Sequence, residues 1–446
     1  MISSLSVFRH PVLTSGTLSG LLLIHCWALT LLDALGWLEA TAMATGLAWA
    51  YVALELPNLS AKQRLPVLLL GGGGLVFGVA AWIKTGHIDW IELGSEHLML
   101  VMLLTSVNFI RMATRLHGES KTRGLRSFIA TYTGMHVFSS VANFSSLMLV
   151  GDQIRKPSQQ NGPELSPLSY ILLTRAFSLA IFWSPFLSMI ALILALVPGA
   201  EITEVFPWAL AVVAFGTLFT LIEARWRYAD EASDYAGYPM RPSSLSLPAV
   251  LIGSLLLAHQ LYPDTPMVVL VSMLAVAVPL VWQAVRVKPS EFRDQLGQQI
   301  TVSLPRARPE ISLFLAAGFL AAAVKAAISA GLIVSPFEYT NALIASLVMV
   351  LVFVAASLGI HQFAMVAILA GMLDQITTTP TLMAIAYMTG VSLSMSSSVF
   401  SGVNAILQGQ YRIQSRDVYA HNLPYSIATL VFTTIMLFVM EASNVQ

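Results

Sequence analysis

The sequence predicts an all-α polytopic membrane protein, and three observations carry that expectation. Hydrophobic residues make up 56% of the 446 positions and charged residues only 10%, where ordinary soluble domains carry about 25% charged residues to cover their surface. Mean hydropathy is +0.75, so lipid is the solvent that suits most of this surface. Apolar segments long enough to cross a hydrocarbon core of roughly 30 Å as helices recur along the whole chain. The short alternating strands of an outer-membrane barrel are missing from the pattern.

The segments number roughly 10–13 by length and hydropathy. The clear ones are 11–34, 38–55, 65–85, 96–113, 168–197, 205–222, 264–284, 310–333, 340–356, 380–407 and 423–442, with a weaker one at 246–258. The stretches after His136 and His361 are ambiguous. The amino terminus shows no small-residue cleavage site behind a short apolar core, so the first span is expected to stay in the mature protein. Net charge is zero, which leaves no footprint for nucleic acid. The lone Cys26 permits no intrachain disulfide. No Cys/His/Asp/Glu spacing matches a metal site, and the glycine run Gly71–Gly74 lacks the Lys-Ser of a phosphate-binding loop. ATP-driven transport would need another subunit, and the chain itself reads as a non-enzyme with no organic or covalent cofactor.

Loop charges orient the chain. Arg111, Arg115, Lys121, Arg123 and Arg126 face the single acid Glu119, the strongest cytoplasmic mark in the sequence. Arg9, Lys62 and Arg64 agree with it, and Arg286, Lys288, Arg293, Arg306 and Arg308 form the other basic connection. His87, Asp89 and Glu92, and the turn with Glu201 and Glu204, then lie outside. The stretch from Glu223 to Arg241 mixes both signs and reads as a surface hinge.

An approximate duplication runs through these segments. Gly134-Met135-His136 opens a stretch ending Asp152-Gln153-Ile154, and Gly359-Ile360-His361 opens one ending Asp374-Gln375-Ile376. A segment at Leu75–Lys84 precedes the first, and one at Gly318–Lys325 precedes the second. Each Gly-x-His stretch is a candidate re-entrant hairpin, whose bare backbone groups are tolerable at membrane depth only against protein, water or ligand. An apolar segment rich in small polar residues follows each. In the first, Pro185 removes a backbone donor and breaks or kinks the helix. In the second, Ser396-Ser397-Ser398 lies between Gly390 and Gly402, poor material for a continuous helix. The chain therefore divides into accessory helices (1–64), a first unit (65–222), a linker with one or two membrane helices (223–309) and a second unit (310–446). Counting crossings with 127–152 as a re-entrant hairpin gives both units the same orientation. An inverted repeat requires the opposite, so either 246–258 is not a full span or one loop breaks the charge rule.

Candidate binding residues are the small polar groups of the hairpins and broken helices: Ser139, Ser140, Asn143, Ser145, Ser178, Ser184, Ser392, Ser396, Ser397, Ser398 and Asn404. Hydroxyls and freed amides there can hold an ion; the same residue types also occur where membrane helices pack closely. Arg175 either snorkels to the headgroups or binds a substrate anion. His136 and His361 either carry protons or hold the hairpins by hydrogen bonds, and Asp152 and Asp374 either bind a coupling ion or cap helix ends. Lys84 and Lys325 read as interfacial anchors, and His25 as packing.

The order of helix, re-entrant segment and interrupted helix, repeated twice over roughly residues 65–442, resembles the ion transporter superfamily, which includes dicarboxylate and citrate carriers, arsenite permeases and certain sodium/proton antiporters. The Ser-Asn-Thr type signatures of its dicarboxylate members are matched only loosely, by Ser139-Ser140 with Asn143 and by Gly371 with Thr377-Thr378-Thr379. The resemblance implies an elevator-like or rocking carrier in the cytoplasmic (inner) membrane, driven by Na+ or H+, moving a small organic or inorganic anion, and in many members dimeric. Two other readings are a cation/proton antiporter using Asp152 or Asp374, and an intramembrane enzyme or lipid-handling protein built on His136 with Asp152.

Overall fold

In a computed structural model the chain is described for residues 15–114, 123–155, 165–187, 189–333 and 337–445. Arg9, Arg115, Glu119 and Lys121 of the charge count lie outside the described residues. Among the described residues no strand forms; Arg123 and Ala236 share an isolated antiparallel bridge. Eight helical segments are long and apolar enough to cross a membrane. Shorter apolar helices and the arms of broken ones account for the remaining segments read from the sequence. The protein is a polytopic all-α membrane protein.

The amino-terminal helices are α1 (Ser15–Ala34), α2 (Thr41–Glu55) and α3 (Ala61–Thr85). An interrupted descent follows, α4 (Trp90–Ser95), α5 (Leu98–Val107) and α6 (Ile110–Ala113). Next come α7 (Leu125–Ala142) and α8 (Phe144–Ile154), then α9 (Pro167–Ala180) and α10 (Met189–Leu196), then the long α11 (Ile202–Trp226). A short α12 (Ala229–Ser233) leads to α13 (Ser246–Leu261) and α14 (Met267–Ala284), then α15 (Pro289–Gln298). The carboxy-terminal part holds α16 (Arg308–Ser329), α17 (Ala342–Ser357), α18 (Gln362–Leu373), α19 (Pro380–Ser397), α20 (Gly402–Tyr411) and α21 (Ser415–Ala442).

Local chemistry explains the breaks. Asn143 ends α7 in the left-handed region at φ 50° and turns the chain into α8; its side chain accepts from the Phe144 N–H at 2.8 Å. Asn is among the few non-glycine residues that tolerate this conformation. The turn between α17 and α18 uses Gly359 at φ 103°, and His361 caps α18 by accepting from Phe363 N at 3.4 Å. Helix α9 stops at Ala180 and the chain resumes at Pro185, as the proline predicts. Helix α19 stops at Ser397 and α20 starts at Gly402, with Ser401 as its cap (Asn404 N to Ser401 Oγ, 3.1 Å).

Contacts between ends fix the running directions. Tyr170, at the start of α9, meets His421, at the start of α21 (2.8 Å). Thr381, at the start of α19, meets Glu204, at the start of α11 (3.1 Å). Since α11 follows α9 and α21 follows α19, helices α9 and α19 run opposite ways, and so do α11 and α21. The α7–α8 hairpin enters and leaves at the face carrying Arg123, where Arg123 pairs with Asp234 at 2.9 Å. The α17–α18 hairpin has its feet at the far face, where Thr340 bonds Thr379 at 2.9 Å.

Three sequence expectations change. The arms of the second hairpin are α17 and α18, so the span read at 340–356 is its first arm and Gly359–His361 is its tip. His136 lies within α7, before the tip at Asn143, and the two Gly-x-His motifs therefore occupy different places. Helix α3 is the neighbour of α16: Glu55, just before α3, pairs with Arg308 at 2.8 Å, and a Cβ on Gly74 would meet Phe319 at 2.5 Å. They run side by side in one direction. The helix that precedes the first hairpin is α4–α6, which runs against α16: Asn108 O accepts from Gln299 just before α16 (3.0 Å), and His97 reaches back to Phe314 O (2.9 Å). Segment 246–258 is the full helix α13, 16 residues long or about 24 Å, paired with α14.

The stretch read as a hinge is instead pinned to α7. Gly237 N donates to Ser127 Oγ (3.1 Å) and Tyr238 N to Thr131 Oγ1 (2.8 Å). A side chain on Gly237 would strike Thr131 Oγ1 at 2.3 Å, so the close approach requires glycine.

Candidate functional site: the hairpin tips and helix breaks

The two breaks are held the same way. Ser184 Oγ donates to the carbonyl of Ser140, three residues before the Asn143 turn, and accepts from Phe186 N at 3.2 Å. Ser398 Oγ donates to the carbonyl of Ala356, three residues before the Gly359 turn, at 2.7 Å and accepts from Phe400 N at 3.2 Å. Each serine thus satisfies an N–H that the break leaves open and ties the break to the last turn of the hairpin's first arm. Six residues before each serine stand Ser178 and Ser392, and they touch: Ser392 Oγ donates to Ser178 O at 2.9 Å across 214 residues of sequence. Eight residues before each stand Ala176 and Gly390. Ala176 O accepts from His136 Nδ1 at 2.9 Å, and a Cβ on Gly390 would meet Val352 Cβ at 2.9 Å. The same local contacts recur in both halves, on helices running opposite ways.

Most of the serine cluster is sealed. Ser392, Ser396, Ser397, Ser398 and Asn404 are buried. Ser396 donates to Leu393 O (3.1 Å), and Ser397 bonds Ser426 (2.7 Å). Asn404 Nδ2 holds Ser398 O at 2.6 Å, while its Oδ1 has no partner among the described residues. In the first hairpin Ser139 and Ser146 link the two arms at 3.0 Å, Ser140 donates to Val137 O, and Ser178 donates to Arg175 O at 3.3 Å.

Arg175 does not snorkel: it is fully buried. Its Nε donates to Asn422 Oδ1 (2.7 Å), Nη1 to Glu223 Oε2 (2.6 Å) and Nη2 to His421 O (3.2 Å). Its guanidinium lies 4.4 Å from the Tyr425 ring centre. Arg227 holds the other Glu223 oxygen at 2.7 Å. Asn422 continues the network to Ser396 O at 3.0 Å. This cluster ties α9 to α11 and α21.

The coupling candidates are engaged as well. Trp183 Nε1, which can only donate, bonds His136 Nε2 at 2.9 Å. His136 therefore carries its proton on Nδ1 and donates it to Ala176 O, a neutral ring with both nitrogens satisfied that clamps α7 to the first break. His361 sits at the second tip as a helix cap. Asp374 is paired with Lys325 at 2.9 Å, and Asp152 meets the Tyr411 hydroxyl at 3.2 Å. Lys325 and Asp374, read separately in the sequence, are partners.

The first hairpin tip opens on a cavity of about 100 Å³ lined by Asn143, Phe144 and Ser145 of the tip, Asn108 and Arg111 of α5–α6, Arg306 just before α16 and Glu310 in its first turn. Among the described residues Arg111, Arg306 and Glu310 form no ion pair, whereas Arg175, Glu55, Arg308, Lys325 and Asp374 all do. Of the residues singled out in the sequence, the cavity gathers Asn143 and Ser145. Arg111 and Arg306 entered the sequence reading only as loop charges, and Asn108 and Glu310 not at all. A signal was available: Asn108 and Arg111 sit one helical turn apart at the end of an apolar span. Phe144 also faces Gly402, where an added Cβ would lie 3.6 Å from its ring, so the first tip adjoins the second break.

No family model matches the chain, and no curated protein matches its sequence. Among solved structures the chain is similar to the Alcanivorax borkumensis YdaH transporter, described as having an unusual topology, at a TM-score of 0.41 and 15% identity over 85% of each chain; at that distance the likeness says nothing of substrate or mechanism.

Proposed function

We propose that the protein is a secondary active transporter that moves a small organic or inorganic anion across the cytoplasmic membrane by alternating access, driven by a sodium or proton gradient. The observation that carries this reading is the cavity at the first hairpin tip. It joins two arginines that form no ion pair among the described residues to the polar groups of a helical turn, while the neighbouring Arg308 is paired with Glu55. A site with two guanidinium groups and one carboxylate has a net positive charge and favours an anion. About 100 Å³ holds a solute of a few heavy atoms. The two halves are read as an inverted repeat, in which hairpins rooted at opposite faces serve as the two gates and the breaks beneath them as the hinges. The antiporter reading is weaker, because neither Asp152 nor Asp374 lines this cavity and Asp374 is paired with Lys325.

The test is uptake by proteoliposomes under imposed sodium and proton gradients, with a panel of small organic and inorganic anions. Gradient-dependent movement of one of them is expected. In Arg111→Gln it should fall by about 10- to 100-fold, the loss of one charge-assisted contact, while Arg286→Gln, outside the cavity, should leave it unchanged. A folded protein that moves none of the panel, or whose uptake ignores Arg111, ends the reading.

A further inference from the structure

Resting on the cavity as the anion site, we infer that Glu310 is the proton-coupling carboxylate of this carrier: it faces Arg111 as a carboxylate when no anion is present and takes up a proton when one enters. The groups around it are few. Arg111 comes from α6, and its field reaches both Glu310 and Arg306. Arg306 lies in the turn before α16, and Asn108, Asn143 and Ser145 complete the lining. Tyr51 of α2 lies within electrostatic reach, next to the Glu55–Arg308 pair. That pair is already closed on itself, since Glu55 also accepts from Ser19 and Asn58. Arg111 is thus the cation whose charge Glu310 shares.

A second negative charge in a cavity this small competes with Glu310 for Arg111. Two anions a few ångströms apart do not both stay ionised at little cost, and of the two only Glu310 is free to take a proton from water at the basic face. Anion entry and proton uptake are then linked, and a proton gradient drives anion movement in the same direction. The carboxylates at Asp152 and Asp374 offer no such link, and the second is paired with Lys325. Neither lines the cavity.

The probe is methanesulfonate, a monovalent anion that takes no proton itself. Purified full-length protein in weak buffer is titrated with it while binding heat and bulk pH are followed together. Wild type should take up about one proton per anion bound, and Glu310→Gln should bind methanesulfonate with no proton uptake. Infrared difference spectra at a fixed neutral pH provide a reading without ligand. The protonated-carboxyl band that is missing in Glu310→Gln should grow in Arg111→Gln and return to wild-type size in Arg111→Lys. Binding by both wild type and Glu310→Gln with no proton uptake would overturn the coupling role and leave the anion site standing. A Glu310 band indifferent to Arg111→Gln would overturn it whatever the probe does. A folded wild type that binds no methanesulfonate removes the anion site, and this inference falls with it.

Discussion

The two helix breaks are pinned alike and covered differently. Ser184 and Ser398 make the same pair of hydrogen bonds, and each is followed two residues later by a phenylalanine whose N–H it accepts. Phe186 is fully buried, packed in a cluster with Leu103, Val107, Leu251 and Leu270 of α5, α13 and α14. Phe400 is 63% exposed, and Leu358 at the neighbouring tip is 77% exposed. The α13–α14 pair is laid over the first break, and among the described residues nothing comparable covers Phe400 at the second. The polar pins are what any break in a membrane helix demands, since freed backbone groups must find partners inside the protein. The covering is not demanded in that way, and it is there that the two regions differ. Arg175 marks a second difference: three residues before Ser178 stands a buried arginine, and three residues before Ser392 stands Thr389.

The largest effect should come from that last difference. Arg175→Ala leaves Glu223 buried with one exposed partner and should cost about 3–5 kcal/mol, read as a drop in thermal unfolding temperature in detergent. Thr389→Ala should cost under about 1 kcal/mol. The double variant Arg175→Met with Glu223→Leu should recover most of the loss, because an apolar pair of similar volume leaves no charge stranded. An intact unfolding temperature in Arg175→Ala would mean that the cluster is not what joins α9 to α11 and α21.

Next comes the covering itself. Phe186→Ala should cost about 2–3 kcal/mol, the lower part of the usual range, because lipid is as apolar as the core and chiefly the packing loss remains. Phe400→Ala should stay within about 0.5 kcal/mol. Equal costs would show that Phe400 is packed by something beyond this chain, and would erase the contrast between the halves. The smallest effect tests what the halves share. Ser184→Ala and Ser398→Ala should each cost about 1–2 kcal/mol, the loss of buried hydrogen bonds that leaves the N–H of Phe186 or Phe400 without its acceptor. A marked difference between the two would show that the pins are not alike in strength, whatever their geometry.

Much of this was legible in the chain. Pro185 announces the first break and Ser396–Ser398 the second, because each acts on the local backbone: one removes a donor, the other competes for it. Asn143 was singled out as a candidate binding residue, and its place as the turn of the first hairpin came from the structure. The matching of the halves went astray, because two Gly-x-His motifs and two lysine-ended helices look alike in sequence while the contacts that define equivalence lie between distant segments. Ser392 with Ser178 and Ala356 with Ser398 leave no mark on the residues flanking them.

The cavity was hidden for a related reason. Arg111 and Arg306 stand 195 positions apart in basic loops, and loop charges serve equally well to orient a chain and to bind an anion. Composition and local backbone chemistry settled the class of protein, its many crossings and the places where helices break, since hydropathy and missing donors act residue by residue. Which polar groups are closed off and which stay open depends on how helices from both halves pack. A serine sealed by a carbonyl 42 residues away, an arginine silenced by Glu223 and Asn422, and three charges that form no salt bridge among the described residues and gather at one cavity are products of that packing. A carboxylate or hydroxyl becomes available for function only when the fold has spent every nearer partner elsewhere.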